Sequence, residues 1–143
     1  MIYTKMTETA MRIAYAAHHG QTDKGGVPYV FHPYHLAEQM TTEATVTAAL
    51  LHDVVEDTAY TVEDLRREGI SEEVLTAVLL LTHDRGVDYM EYVKRIKPNP
   101  VARAVKIADL KHNTDPTRAC ADPHIREKMR RYYLPALQYL TED

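Results

Sequence analysis

The stretch LLHDVVEDT, Leu50 to Thr58, sets an imidazole and three carboxylates, those of His52, Asp53, Glu56 and Asp57, into an otherwise apolar run. VTAALL, Val46 to Leu51, leads into it, and Val54 and Val55 separate its two acidic pairs. The spacing predicts one helix from about Thr42 to Val55, apolar on most sides and therefore central in an all-α fold. At about 100° per residue, Asp53, Glu56 and Asp57 lie about 100°, 40° and 140° from His52, so all four share one face. Ala49, one turn back, is small and leaves room above that face. Three carboxylates this close cannot all stay ionised in a low-dielectric interior unless a cation joins them. A divalent ion is the simplest partner, and mixed imidazole and carboxylate sites suit manganese, iron, zinc or magnesium.

Working outward, the punctuation is helical throughout. Apolar residues recur at helical spacing from about Thr7 to His19, with Gly20 as a stop. GQTDKGGVPYVFHP is a loop, and Pro33 suits the first position of a short helix running to Met40, which puts His32 at its entrance. Thr61 with Asp64 approximates a capping box, and Ser71 with Glu72 and Glu73 opens a helix ending near THDRG. Asp88 suits the cap of a helix to about Lys97. Asn99 and Pro100 open one through Asn113, and Asp122 and Pro123 open the last, bent or broken at Pro135. No period-two strand pattern, repeat or linker competes. The expected architecture is a single compact bundle of about seven or eight helices, one domain over residues 1–143.

Composition narrows the function classes. At 143 residues the chain is long enough to bury a core. A net charge of -4 and a pI near 6.0 argue against a general nucleic-acid binder, because phosphate backbones reward a basic surface. Cys120 is the single cysteine, so no intrachain disulfide or ordinary thiolate zinc site is expected. MIYTKMTETAM lacks the apolar core of a signal peptide and no apolar run approaches a membrane span, so the expectation is a cytoplasmic protein.

A metal needs more ligands than one helix supplies. In VKIADLKHN, Asp109 is surrounded by apolar residues, with Asn113 one turn later and Lys106 one turn earlier. Two readings of Asp109 stand side by side: a ligand, or the partner of Lys106 at an exposed surface, a spacing worth only a few tenths of a kcal/mol. His32 is a further candidate, and His35 competes with it one turn on. His83 and Asp84 are also adjacent, but Arg85 and Gly86 follow them and no further acid shares their face, so they read as a solvent-facing helix end. Tyr89 and Tyr92 read as tyrosines covering the edge of the core. The last helix, IREKMRRYYLPALQYL, reads equally as a cap or as a homo-oligomer surface.

Three ordered segments, AHHGQTDKGGVPYVFHP, LLHDVVEDT and KIADLKHN, resemble the HD-domain metal-dependent phosphohydrolases, in particular the hydrolase domain of RelA/SpoT-type alarmone enzymes. The resemblance covers most of the chain. It implies His32, His52, Asp53 and Asp109 as ligands of one metal, usually manganese, and favours His32 over His35. It implies Glu56 and Asp57 as the acidic pair that positions and activates the attacking water, and Lys24 and Asn113 as neighbours of the nucleotide. The implied reaction is attack of a metal-bound water on guanosine 3'-diphosphate 5'-di- or triphosphate, giving GDP or GTP and pyrophosphate. Lys24, with Lys106 or Lys111, offsets the polyphosphate charge. A free-standing hydrolase without a synthetase domain is implied.

The chain departs from that family at several positions. Asp23 stands in DKGG where the family often reads Arg-Lys-Ser-Gly, Val27 replaces a common acidic residue, and Leu110 and Lys111 stand where Arg and Leu are common. The metal set is untouched, so these departures bear on the substrate rather than on the reaction. The alternatives are an HD phosphohydrolase of another nucleotide or phosphomonoester, and a metal-containing nucleotide sensor without turnover.

Overall fold

The computed structural model describes residues 1–118 and 122–143; Cys120 lies outside the described residues. Among the described residues ten α-helical segments run in the order α1 Lys5–Ala17, α2 Phe31–Glu38, α3 Glu43–Leu51, α4 Val54–Asp57, α5 Val62–Arg67, α6 Glu72–Leu81, α7 Tyr89–Ile96, α8 Pro100–Asn113, α9 Pro123–Lys128 and α10 Leu134–Thr141. Because α4 nearly continues α3, and α9 joins α10 through a π turn at Met129–Tyr133, the bundle has the expected order of eight helices. Among the described residues there is no strand, only an isolated bridge between Thr22 and Pro28. No described helix is long and apolar enough to cross a membrane.

Local chemistry sets the boundaries. Thr4 opens α1 in a capping box with Thr7, and Thr42 opens α3 in the same way with Thr45, so both helices satisfy two N-terminal amides at once. Thr61 and Asp64 form the box read from the sequence, and Ser71 and Asn99 cap α6 and α8 with their side chains. Asp88 occupies the cap position of α7, but its side chain makes no capping bond. Pro33 falls at the third residue of α2 rather than the first, which costs no hydrogen bond because the first-turn amides have no intrahelical partner. The expected interruption at Pro135 takes the form of the π turn. Leu134 N–H donates to the Met129 carbonyl, and the widened turn relieves the proline, which lacks an amide hydrogen.

Helix α3 is the centre. Val46 through Leu51 are buried in succession, and the helix packs against α1, α2, α6 and α8. Its continuation differs from the expected single helix to Val55: the helix is interrupted by a turn at His52 and Asp53, whose backbones stay in the right-handed region, and resumes at Val54. The His52 ring accounts for the break. Its Nδ1 lies 2.7 Å from the Ala49 carbonyl, the acceptor that the Asp53 amide would use in a continuous helix. Leu51, fully buried beside this break, is the apolar anchor of the motif. Leu51→Ala is expected to lower stability by about 2–5 kcal/mol, read as a lower urea midpoint with an unchanged slope; a loss under about 1 kcal/mol would show that α3 is not the core element described.

Candidate metal centre

Four elements converge where α3 breaks. Helix α2 packs against both α3 and α8, bringing His32 to His52 and to Asp109. These three residues are buried, and each offers an atom within 4.8 Å of the others. His32 Nε2 lies 2.8 Å from Asp109 Oδ1. His52 Nε2 lies 3.0 Å from Asp53 Oδ2 and 3.6 Å from Asp109 Oδ1. The loop before α2 adds Tyr29, whose hydroxyl donates to Asp53 Oδ2. That loop is folded on Asp23, whose Oδ1 accepts from the amides of Gly25 and Val27 at 2.9 and 3.0 Å, with Gly26 at φ +83° closing the turn.

The donor set fits a divalent ion on one observation. A carbonyl only accepts, so the His52 Nδ1 facing Ala49 carries the ring proton, and in the neutral ring Nε2 is then a lone pair. That Nε2 is buried, makes no hydrogen bond and faces two carboxylates. A lone pair so placed is repelled unless a cation sits between the groups. Without an ion the same carboxylates draw a proton to that position: burial works against charge on His52, but Asp53 and Asp109 outweigh it and raise the imidazole well above its ordinary value. Burial likewise opposes ionisation of Asp109, yet Lys106, His32 and His52 hold it well below the usual carboxylate range.

Lys106 resolves the two readings of Asp109. The pair exists, with Nζ 2.8 Å from Asp109 Oδ2, but it is not at an exposed surface: Asp109 is buried, the Lys106 side chain is 12% exposed, and Lys106 lies over the Tyr92 ring at 5.3 Å. Asn113 donates to Asp109 Oδ1 at 3.0 Å. Both carboxylate oxygens of Asp109 are thus engaged, which fixes the side chain while its Oδ1 faces His32 and His52.

Asp53, Glu56 and Asp57 form a second group whose ligand atoms also lie within 4.8 Å of one another. Asp53 joins this group to His52, its Oδ2 lying 3.0 Å from His52 Nε2. Glu56 Oε1 accepts from the backbone N–H of His83 at 2.6 Å. His83 consequently corrects its sequence reading: its ring stacks on Tyr92 at 4.5 Å and its Nε2 meets the Val87 carbonyl at 2.7 Å, so the imidazole turns into the site wall instead of to solvent. The acid that meets it is Glu56, reaching it from α4. The Asp57 carboxylate has no hydrogen-bond partner among the described residues. Burial, then the charges of Asp53 and Glu56, push it up to about 6.

Two cavities flank the centre. One, about 540 Å³, is walled by Asp53, Glu56, Asp57, Tyr92, Lys106 and Asp109. The other, about 930 Å³, is walled by Lys24, Tyr29, His32, His35, His112 and Arg118. Asn113, Lys128 and Tyr133 belong to both walls. Lys24 is thus separated from the acidic pair by the centre itself, and Lys111 lines neither cavity. Tyr92 covers the core edge as read, its hydroxyl donating to the Leu81 carbonyl.

Sequence reasoning missed Tyr29, His112 and Arg118. His35 does not reach the cluster; it stacks on His112 at 4.1 Å. His112 meets His32 at 2.7 Å between their Nδ1 atoms. Burial, then Arg118 and the neighbouring imidazoles, push His112 down to about 4. The available signal was the spacing in DLKH, which sets His112 one turn beyond Asp109 on α8. Nothing in PYVFHP announces the bond from Tyr29 to Asp53.

The fold and the site together define a class, an all-α domain built around a buried histidine and aspartate set that fits a divalent cation. Residues 10–112 match the HD domain, and the chain belongs to that family. It is 33% identical over 121 residues to a probable GTP pyrophosphokinase of Mycobacterium leprae, covering 76% of this chain and 15% of that protein. It is 43% identical over 67 residues to the bifunctional (p)ppGpp synthase/hydrolase SpoT of Escherichia coli K12, covering 44% of this chain and 10% of that one. Among solved structures, one described as a metazoan ortholog of SpoT that hydrolyzes ppGpp matches with a TM-score of 0.79 at 23% identity, over 99% of this chain and 88% of that one, a likeness of fold. The chain spans at most 15% of the length of these curated relatives.

The raised Asp57 has a signed consequence for stability. Its folded value of about 6 lies above the ordinary 3.8, so its contribution is fully present below about pH 4 and is lost as pH rises through about 6. In the metal-free protein, Asp57→Asn is expected to raise the urea midpoint at pH 7.5 and leave it unchanged at pH 4. The gain is at most about 1 kcal/mol because water screens this exposed group. Equal midpoints at both pH values would contradict the assignment.

Proposed function

We propose that the chain is a metal-dependent phosphohydrolase that removes the 3'-diphosphate of guanosine tetra- or pentaphosphate, releasing pyrophosphate, with manganese as its ion. The observation that carries the reading is the buried, unbonded His52 Nε2 facing Asp53 and Asp109, with the unpartnered Asp57 carboxylate beside them. The names of the relatives, a (p)ppGpp synthase/hydrolase among them, support the substrate class.

In this reading His32, His52, Asp53 and Asp109 hold the ion. When bound, a divalent ion at such a site lowers the pKa of a coordinated water and polarises a phosphoryl oxygen. Asp57 takes the proton of the attacking water, because Glu56 is already committed to the His83 amide and acts as its neighbouring anchor. Lys106 remains bound to Asp109 and offsets charge at the reacting end through that pair. Lys24 and Asn113 contact the nucleotide from the larger cavity.

The arginine that the resemblance leads one to expect at position 23 has a counterpart from elsewhere in the chain. Arg118, beyond α8, reaches the same cavity, its Nη2 3.5 Å from Asp23 Oδ2 and its Nη1 donating to the His112 carbonyl at 2.9 Å. An arginine neutralised by a carboxylate offers a donor beside an acceptor, which suits the edge of a base better than a phosphate. Arg118→Gln is expected to lower kcat/KM about tenfold or more for the guanosine substrate, the scale of one charged hydrogen bond, and far less for an adenosine analogue. Equal losses on both bases would remove Arg118 from base selection.

The deciding test supplies metal-stripped protein with manganese and a panel of guanosine tetraphosphate and ordinary nucleoside mono-, di- and triphosphates. Pyrophosphate with GDP from the tetraphosphate alone is the expected result, and it should fall at least about 100-fold in Asp53→Ala and Asp57→Asn. Orthophosphate from another nucleotide would replace the substrate. Tight binding without turnover would make the chain a sensor.

A further inference from the structure

We propose that His112 is a positioning residue for His32: it accepts the Nδ1 proton of His32 and so leaves the Nε2 lone pair turned toward Asp109 and His52. The inference rests on His32 being a metal ligand and adds the group that orients it.

The geometry is that of a shared proton. The two Nδ1 atoms are 2.7 Å apart, the ring centroids are 5.0 Å apart and the rings are inclined by only 5°; a separation that long places the nitrogens on the line between the centroids, so each nitrogen lies in the plane of the other ring. At that distance two N–H groups would collide and two lone pairs would repel, so one ring donates and the other accepts. If His112 donates, His32 carries its proton on Nε2, 2.8 Å from Asp109 Oδ1, and has no lone pair for an ion. If His112 accepts, Nε2 is free. A ligating imidazole needs the second arrangement, with its outer N–H held by an acceptor.

The surroundings hold the His112 ring in place. It stacks on His35 at 4.1 Å, and Arg118 donates to its backbone carbonyl at 2.9 Å. Arg118 thus engages the carbonyl and not the ring, and among the described residues the hydrogen-bond partner of His112 Nδ1 is His32. Asp109 and His112 are three residues apart on α8, so one helical turn grips both nitrogens of the His32 ring. No side chain of α2 needs to supply that orientation.

The test is manganese affinity of the metal-stripped full chain, measured by titration calorimetry, with folding checked by thermal melting. His112→Phe keeps a ring against His35 but no acceptor and is expected to weaken manganese binding about 10–100-fold. His112→Asn, whose Oδ1 can stand where Nδ1 stood, is expected to restore affinity to within about threefold of the parent, an acceptor effect that packing alone would not produce. Parental affinity in His112→Phe, or an equal loss in both variants, would overturn the proposal. His32→Gln separates the two levels of the argument. If it too binds manganese like the parent, His32 is not a ligand and the reading beneath the proposal fails; if only His32→Gln loses affinity, the positioning role alone falls.

Discussion

One short hydrogen bond organises this fold, that between the His52 ring and the carbonyl of Ala49 one turn behind it. It has two consequences at once. It takes the acceptor that would carry the helix forward, so the central helix stops and Asp53 turns out of line. It also fixes the tautomer of His52, so the remaining nitrogen enters the interior as a lone pair against carboxylates. A neutral core would be spoiled by that arrangement, whereas a cation-binding core is defined by it.

The charges around this point are balanced group by group. Asp109 is met by Lys106 and by Asn113. Asp53 is met by Tyr29 and His52. Glu56 is met by the His83 amide. Of these acids only Asp57 is left without a donor among the described residues, and it lines the smaller cavity. The structure thus separates groups that are held still from one that can exchange a proton with a neighbour. The two cavities on either side of the centre extend this division, acids and Lys106 on one side, Lys24 and Arg118 on the other.

Much of this was legible because it follows from local chemistry. Helix α8 begins and ends where Asn99, Pro100 and Asn113 say it should, since a cap and an N-terminal proline act on their own few residues. The centrality of α3 follows from a run with no polar face to present to water. What escaped was set by contacts distant in sequence. The break at His52 depends on a side chain choosing a backbone acceptor, which periodicity does not register. The burial of Lys106 depends on Tyr89 and Tyr92 closing over it. His83 was read as a helix end because Glu56, the acid that meets its amide, lies 27 residues earlier. His112 stood in view within KIADLKHN, but its partner is 80 residues away.

The same arrangement ties stability to the site. A chain of this size has little spare stabilisation, since small domains bury a modest share of their surface. Here the central helix spends its last turn on His52, with Asp53 and Asp109 facing it, rather than on further apolar packing. In the metal-free state a proton on His52 Nε2 takes the place between Asp53 and Asp109, consistent with the upward shift of that imidazole. A divalent ion in its stead would bind the folded chain and not the unfolded one, adding RT ln(1 + [L]/Kd) to stability. Loss of the ion would therefore be felt first at the kink between α3 and α4, where Asp53 is aimed by its side-chain partners rather than by a continuous helix. The aim of the site carboxylates and the cohesion of the core would then depend on one occupant, and substitutions at the kink would act on both together.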